Sequence, residues 1–197
     1  MKKAEARKQD IINCAARLFR EQGYPNTSIT DIGKAVGVSS AALYYHFASK
    51  EDILEQVIVY GLNVVINRIR SILLSEGDIR EKIKDALLAQ IKTNIELTDF
   101  FITHMQEMRN LTGVHLEQVK SKTNEFYALW FDVMEEGVQA GIYVSNQNLK
   151  LYLLFSQGAL RELMYWRYLE LDPFLLKKTP QEIIDVFFEY RRSGLNM

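Results

Sequence analysis

The chain has 197 residues, of which 48% are hydrophobic and 25% charged, a balance typical of an ordinary globular protein that excludes intrinsic disorder. One cysteine, Cys14, excludes an internal disulfide and a multi-cysteine zinc site. No apolar run approaches the ~18 residues of a membrane span, so a cytoplasmic protein with no membrane partner is expected.

The formal net charge of −1 argues mildly against a nucleic-acid partner until it is divided along the chain. Residues 1–50 hold eight basic and four acidic side chains, a net of +4. The other 147 residues carry 16 basic and 21 acidic ones, a net of −5. A basic unit fused to an acidic one fits nucleic-acid contact at one end only.

The pattern reads as helix throughout, with three Pro and no sustained alternation of polar and apolar residues. From Ala4 to Gln22, the residues Ile11, Ile12, Ala15, Leu18 and Phe19 share one face, and Gly23 stops the helix. Cys14 lies among these positions and reads as a small core residue. Ser28-x-x-Asp31 is a capping box that opens a short helix with Ile29, Ile32, Ala35 and Val36 inward. Gly37 ends it, because the tight turn needs a positive φ. Ser39 caps a second short helix through about His46, with Val38, Leu43 and Phe47 turned back into the core. Ser49-x-x-Asp52 repeats the capping box and starts a long helix through Leu73, which joins the two halves. Breaks at 75–78, 109–113, 141–147 and 171–179 separate four or five further helices. The last of these opens on Thr179-Pro180-x-Glu182, with a cap, Pro at the first position and a capping-box Glu.

Two short helices joined by a glycine turn and preceded by a third form a helix-turn-helix unit. Its second helix must be slim enough at its start to enter a major groove ~12 Å wide. Ser39, Ser40, Ala41 and Ala42 meet that need, and the free amides of a helix N-terminus favour phosphate. Tyr44, Tyr45, His46 and Lys50 follow with hydroxyl, imidazole and ammonium donors suited to phosphate, and the Tyr rings can also pack on a thymine methyl. The bland alternative is a solvated face with core aromatics. It suffices for Leu43 and Phe47, but too many large groups remain for one small core.

The stretch from Thr27 to Leu54, with Ala16-x-Leu18-Phe19 and Gly23-Tyr24 before it, resembles the DNA-binding signature of the TetR family of transcriptional regulators. The resemblance implies an all-α homodimeric repressor. Its N-terminal three-helix helix-turn-helix domain (1–50) would bind a double-stranded DNA operator. Its C-terminal helical bundle (51–197) would dimerise and bind a small-molecule inducer that releases the DNA. By position, Thr30, Ser40, Ala41 and Tyr44 would lie near bases, and Ser28, Tyr45, His46 and Lys50 near phosphates, with Ser39 at the start of the recognition helix. Thr30 departs from relatives that carry Arg there to read guanine, so base readout at that point should be weaker.

The C-terminal region is rich in aromatic residues, most of which belong to helix cores by default. A helical bundle can nonetheless hold an apolar ligand between its helices. Phe100, Phe101, His104, Met105, Met108 and Arg109, together with Phe126 and Trp130, are the candidates for contact with a hydrophobic inducer. Arg161 reads either as a pair with Glu162 or a dimer contact, or as an anchor for a carboxylate or phosphate. Residues 149–166 are apolar on more than one side, and Ile183, Ile184, Phe187 and Phe188 make a second stripe, which together suit a four-helix dimer interface. Glu107 to Leu111, Tyr127-x-x-Trp130 and Gly137-x-x-x-Gly141 also resemble the ligand domain of TetR-type regulators that sense acyl-CoA thioesters, which implies an acyl-CoA-like or fatty-acid inducer.

Two other classes compete. A small enzyme would need a nucleophile or metal constellation, and the three His (His46, His104, His115) and single Cys stand in no H-E-x-x-H, G-x-S-x-G or C-x-x-C context. No enzymatic activity, cofactor or metal is therefore expected. A helical protein-interaction module would leave the +4 segment and its recognition-helix pattern unexplained.

Overall fold

The computed structural model describes residues 2–143 and 148–186. Among them the only regular structure is helical: α1 Lys2–Gln22, α2 Ile29–Val36, α3 Ser40–His46, α4 Lys50–Leu73, α5 Ile79–Glu96, α6 Thr98–Glu107, a 3-10 turn Met108–Asn110, α7 Gly113–Gln139, α8 Leu149–Tyr168 and α9 Pro173–Leu176. A last helix opens at Pro180 and is described to residue 186. No helix among the described residues is long and apolar enough to cross a membrane.

The chain divides into two compact units, residues 1–63 with 97–125, and 64–96 with 126–197, so that α4 and α7 contribute to both. In the first unit, Ile11, Ile12, Cys14, Ala15, Ala16, Leu18 and Phe19 of α1 are buried as their spacing predicts. Also buried in this unit are Ile32, Leu43 and Phe47, then Ile53, Leu54, Val57 and Ile58 of α4, and Phe100 and Ile102 of α6. Ala35, expected inward, is exposed, and Val36 is half-buried. The eight-residue α2 needs only Ile32 and Gly33 inward, and its last turn faces out.

Local signals set the helix ends in this unit. Ser28 Oγ accepts from Asp31 N at 3.1 Å, and Asp31 Oδ2 accepts from Ser28 N at 2.9 Å, closing the capping box. Gly37 takes φ +70 and its N–H reaches the carbonyls of Gly33 and Lys34. At the start of α4 the second capping box departs from expectation. Ser49 Oγ does accept from Asp52 N at 3.0 Å, but Asp52 Oδ2 accepts from Ala48 N at 2.8 Å, one residue upstream of the cap. The carboxylate thus ties down the α3–α4 connection. Thr179 and Glu182 form the reciprocal pair predicted for the last helix.

A break at Leu97, which carries no Gly or Pro signal, divides into α5 and α6 what the sequence pattern reads as one helix. Tertiary contacts on either side account for it. Arg20 Nε lies 2.6 Å from Asp99 Oδ1, and Thr103 Oγ1 donates to Ala16 O at 3.1 Å, so α6 is held on α1. In the second unit α5 is held elsewhere: Gln90 Nε2 donates to Gln157 Oε1 at 2.8 Å, and Arg68 Nη1 donates to Thr93 Oγ1 at 2.9 Å. The core of this unit is formed by Val65, Ile66, Ile69, Ile83, Ala86, Leu87, Ile91, Trp130, Val133, Met134, Leu153, Leu160 and Met164.

Candidate nucleic-acid interface and sensor unit

Helices α2 and α3 meet through a close turn. An ideal Cβ added at Gly33 would lie 2.8 Å from Val38 O, so only glycine lets α2 come this near the turn. Behind the turn Leu43 and Phe47 fix the roll of α3 by burial, which presents the opposite face of that helix to solvent. Tyr44 is 58% and Tyr45 84% exposed. An aromatic side chain this open contributes little to the core, and its hydroxyl and ring edge stay available to a partner. Tyr45 stacks edge-on against His46 at 5.1 Å between centroids, and His46 in turn leans on Phe47 at 6.4 Å.

The remaining candidates line up at the two helix starts. Thr30 Oγ1 and Ser40 Oγ lie 3.4 Å apart, which brings the first turns of α2 and α3 together. Ala41 is exposed beside them. Ser39 Oγ accepts from Ala42 N at 3.2 Å as the cap of α3. Ser28 is exposed, but its hydroxyl donates to Asp31 Oδ2 at 2.6 Å. That bond, with the one from its backbone, holds the Asp31 carboxyl below the usual carboxylate range.

Lys50, expected at a phosphate, is directed into the protein. Its Nζ donates to Tyr24 O and Thr27 O, each at 2.9 Å, and lies 4.2 Å from the centre of the Tyr24 ring. Two of its three ammonium hydrogens therefore close the loop between α1 and α2. The same loop buries Thr27, whose Oγ1 donates to Gly23 O at 2.9 Å. Burial, and secondarily the charge of Glu51, push the Tyr24 phenol above its ordinary pKa, so it stays neutral. The roles of Tyr24 and Thr27 escaped the sequence reading because their partner lies 26 and 23 residues away.

One cluster of metal-ligand type forms in the first unit. Asp52, Glu55 and His115 place ligand atoms within 4.8 Å of one another. The groups already serve each other and their neighbours: Glu55 Oε2 sits 2.6 Å from His115 Nδ1, while Gln56 Nε2 donates to Asp52 Oδ1 at 2.6 Å. Beside them Glu51 Oε1 accepts from Thr112 N and Oγ1 at 2.6 and 3.0 Å, so the first turns of α4 grip the start of α7.

The residues expected at a ligand fall into both units. In the first, Phe100 is buried with its ring 5.0 Å from that of Tyr60, Phe101, His104, Met105 and Met108 are half-buried, and Arg109 is exposed. In the second, Trp130 is buried, Phe126 is half-buried against Tyr127 at 5.5 Å, and Arg161 is exposed. The neighbouring Glu162 accepts from Trp166 Nε1 at 2.8 Å. On α8 a stripe of Leu153, Gln157, Leu160 and Met164 turns inward. Leu151, Tyr152, Leu154, Phe155, Leu163 and Trp166 are left exposed on the rest of its surface. Ile183 and Ile184 are buried, and Phe187 and Phe188 lie outside the described residues.

Comparison with known proteins agrees with this geometry. Residues 11–57 match the family model of bacterial regulatory proteins of the tetR family, and residues 76–168 match the tetracyclin repressor-like C-terminal domain. The HTH-type transcriptional repressor KstR2 of Rhodococcus jostii is 30% identical over 154 residues, covering 76% of this chain and 74% of the relative. The TetR-family regulator PfmR from Thermus thermophilus shares the fold with a TM-score of 0.79 at 24% identity, over 91% of this chain and 94% of PfmR. FadR from Bacillus subtilis, solved in complex with stearoyl-CoA, does so with a TM-score of 0.78 at 19% identity, over 92% and 95% of the two chains. The all-helical fold, the outward face of α3 and these matches lead to one conclusion: the chain is a DNA-binding transcriptional repressor of the TetR family, and not an enzyme.

Proposed function

We propose that the protein is a cytoplasmic homodimer that occupies a palindromic operator through residues 1–50 and leaves it when residues 51–197 bind a hydrophobic inducer. The observation that carries the reading is the outward face of α3. Leu43 and Phe47 are buried, while Tyr44 and Tyr45 stand in solvent. In this reading Thr30, Ser40, Ala41 and Tyr44 meet base edges, and Ser28, Ser39, Tyr45 and His46 meet phosphates through hydroxyl, amide and imidazole groups. Lys50 acts chiefly as a positioning residue, since the loop it closes sets the entry into α2.

Dimerisation has a geometric reason, because two recognition helices must stand ~34 Å apart to read both halves of a palindrome. The exposed apolar face of α8, with Phe155 76% exposed, suits a symmetry mate. A lipid-like inducer is supported by the company the chain keeps: the stearoyl-CoA complex of FadR, and the KstR2 of Mycobacterium tuberculosis, described as a ketosteroid transcriptional regulator. Induction is a population shift: ligand favours a helix arrangement in which the paired heads no longer match the groove spacing.

Gel retardation of the DNA upstream of the protein's own gene, across a salt series, tests the DNA half. Retardation that weakens with salt is expected, and its absence even at the lowest salt overturns the reading. A thermal-shift panel of fatty acids and acyl-CoAs, followed by DNA release, tests the sensing half. A tight ligand that leaves DNA affinity unchanged contradicts it.

A further inference from the structure

Two polar atoms in the core of the second unit have no hydrogen-bond partner among the described residues. Trp130 of α7 is 2% exposed, and its indole Nε1 meets no acceptor. Gln90 of α5 is 6% exposed; its Nε2 is taken by Gln157, but its Oε1 meets no donor. The other indole of the chain makes the contrast, since Trp166 is 44% exposed and still donates to Glu162. An orphaned buried N–H or carbonyl costs ~1–3 kcal/mol, and native cores retain very few of them without a use.

The surroundings decide what could satisfy these atoms. The buried polar side chains of this unit, among the described residues, are Gln90, Thr93 and Gln157, all neutral. The cation nearest to them through bonding, Arg68, reaches Thr93 but is paired with Glu96 at 2.6 Å, and Arg161 is exposed. A carboxylate or phosphate entering this core would lose its hydration and find no buried cation among the described residues. A ketone or hydroxyl oxygen loses far less and accepts from an indole N–H.

We propose that the second unit recognises an apolar molecule by a neutral oxygen, ketone or hydroxyl, which accepts from Trp130 Nε1. The inference rests on the sensing half of the proposed function and narrows its ligand: any charged end of the inducer stays outside this core.

The test uses the full chain with 15N-labelled indoles and four probes of matched length: decane, decanol, methyl octyl ketone and decanoate. The alcohol and ketone should bind about tenfold or more tightly than the alkane and the carboxylate, the equivalent of one hydrogen bond of ~1.4 kcal/mol. The Trp130 N–H resonance, assigned with Trp166→Phe, should move downfield with them. Trp130→Phe should abolish the preference. If that variant fails to fold, the unaltered chain keeps the test: the alcohol and ketone, and not decane, should move the Trp130 N–H resonance. Three results overturn the inference and leave the sensing reading intact: decane or decanoate binding as tightly as decanol, a preference that survives Trp130→Phe, or a Trp130 resonance already downfield and unmoved, as a permanently bound water would give. Binding by none of the four overturns this inference, while the sensing reading stands or falls on the panel of fatty acids and acyl-CoAs.

Discussion

Replacing Lys50 by Met separates the phosphate contact expected from the sequence from the loop closure that the structure shows. Methionine keeps an apolar stem against the Tyr24 ring but removes the ammonium that bonds Tyr24 O and Thr27 O at 2.9 Å and lies 4.2 Å from the ring centre. Hydrogen bonds from a charged donor contribute ~1.5–3 kcal/mol each, and a partly exposed cation–π contact ~0.5–1 kcal/mol. Lys50 is half-buried, so solvent screening places the sum near the low end, at about 3 kcal/mol. That is a large share of a total stability of ~5–15 kcal/mol, and for a chain of this size it corresponds to a fall in Tm of about 6–12 °C. Thermal denaturation followed by circular dichroism measures this fall. Binding titrations across a salt series measure the other half. A residue that closes the loop should weaken binding by a similar factor at every salt concentration and leave the slope of log K against log salt in place, whereas loss of one phosphate contact lowers the slope by ~0.9. An unchanged Tm with a slope reduced by that amount would refute the loop-closing role and return Lys50 to the phosphate backbone.

Three further outcomes follow from the same geometry. Gly33→Ala places a Cβ 2.8 Å from Val38 O, so α2 or the turn must shift; a loss of ~1–3 kcal/mol in denaturant titration, with loss of operator binding, is expected. Tyr45→Ala, at a site 84% exposed, should leave stability within ~0.5 kcal/mol and weaken binding to all DNA sequences alike. A change of sequence preference in a selection assay would instead make Tyr45 a base reader, the role assigned to Tyr44. The Asp31 carboxyl is held below its usual range by its bonds from Ser28, so its cap is in force above the ordinary carboxylate pKa and is lost as pH falls through the lowered one. Asp31→Asn should therefore lower Tm at neutral pH and reduce the loss seen on acidification; equal acid sensitivity in both proteins would contradict the assignment.

The sequence by itself determined what depends on neighbours within a few residues. The Ser28–Asp31 box, the left-handed Gly37, the Ser39 cap and the buried face of α1 are i, i+3 and i, i+4 relationships that hold in whatever tertiary setting the segment meets. The exposure of Tyr44 and Tyr45 was legible for the same reason, since a short helix with Leu43 and Phe47 inward leaves few other directions for the residues between them. Tertiary structure decided what depends on distant partners. Lys50 is drawn to carbonyls 23 and 26 residues upstream, and nothing around residue 50 signals that. The helix breaks at Leu97 because α6 is tied to α1 through Arg20–Asp99 and Thr103–Ala16, while α5 is tied to α8 through Gln90–Gln157. Asp52, Glu55 and His115 converge only because the start of α7 comes back to α4. The ligand candidates show the limit most directly. Periodicity marked Phe100 and Trp130 alike as core or pocket, but the fold set them in different units, and only the fold shows that Phe100 packs on Tyr60 while the indole N–H of Trp130 meets no acceptor among the described residues. Hydrophobic spacing says which face of a helix turns inward; whether a polar atom on that face finds a partner is settled by residues that the chain brings together from far away.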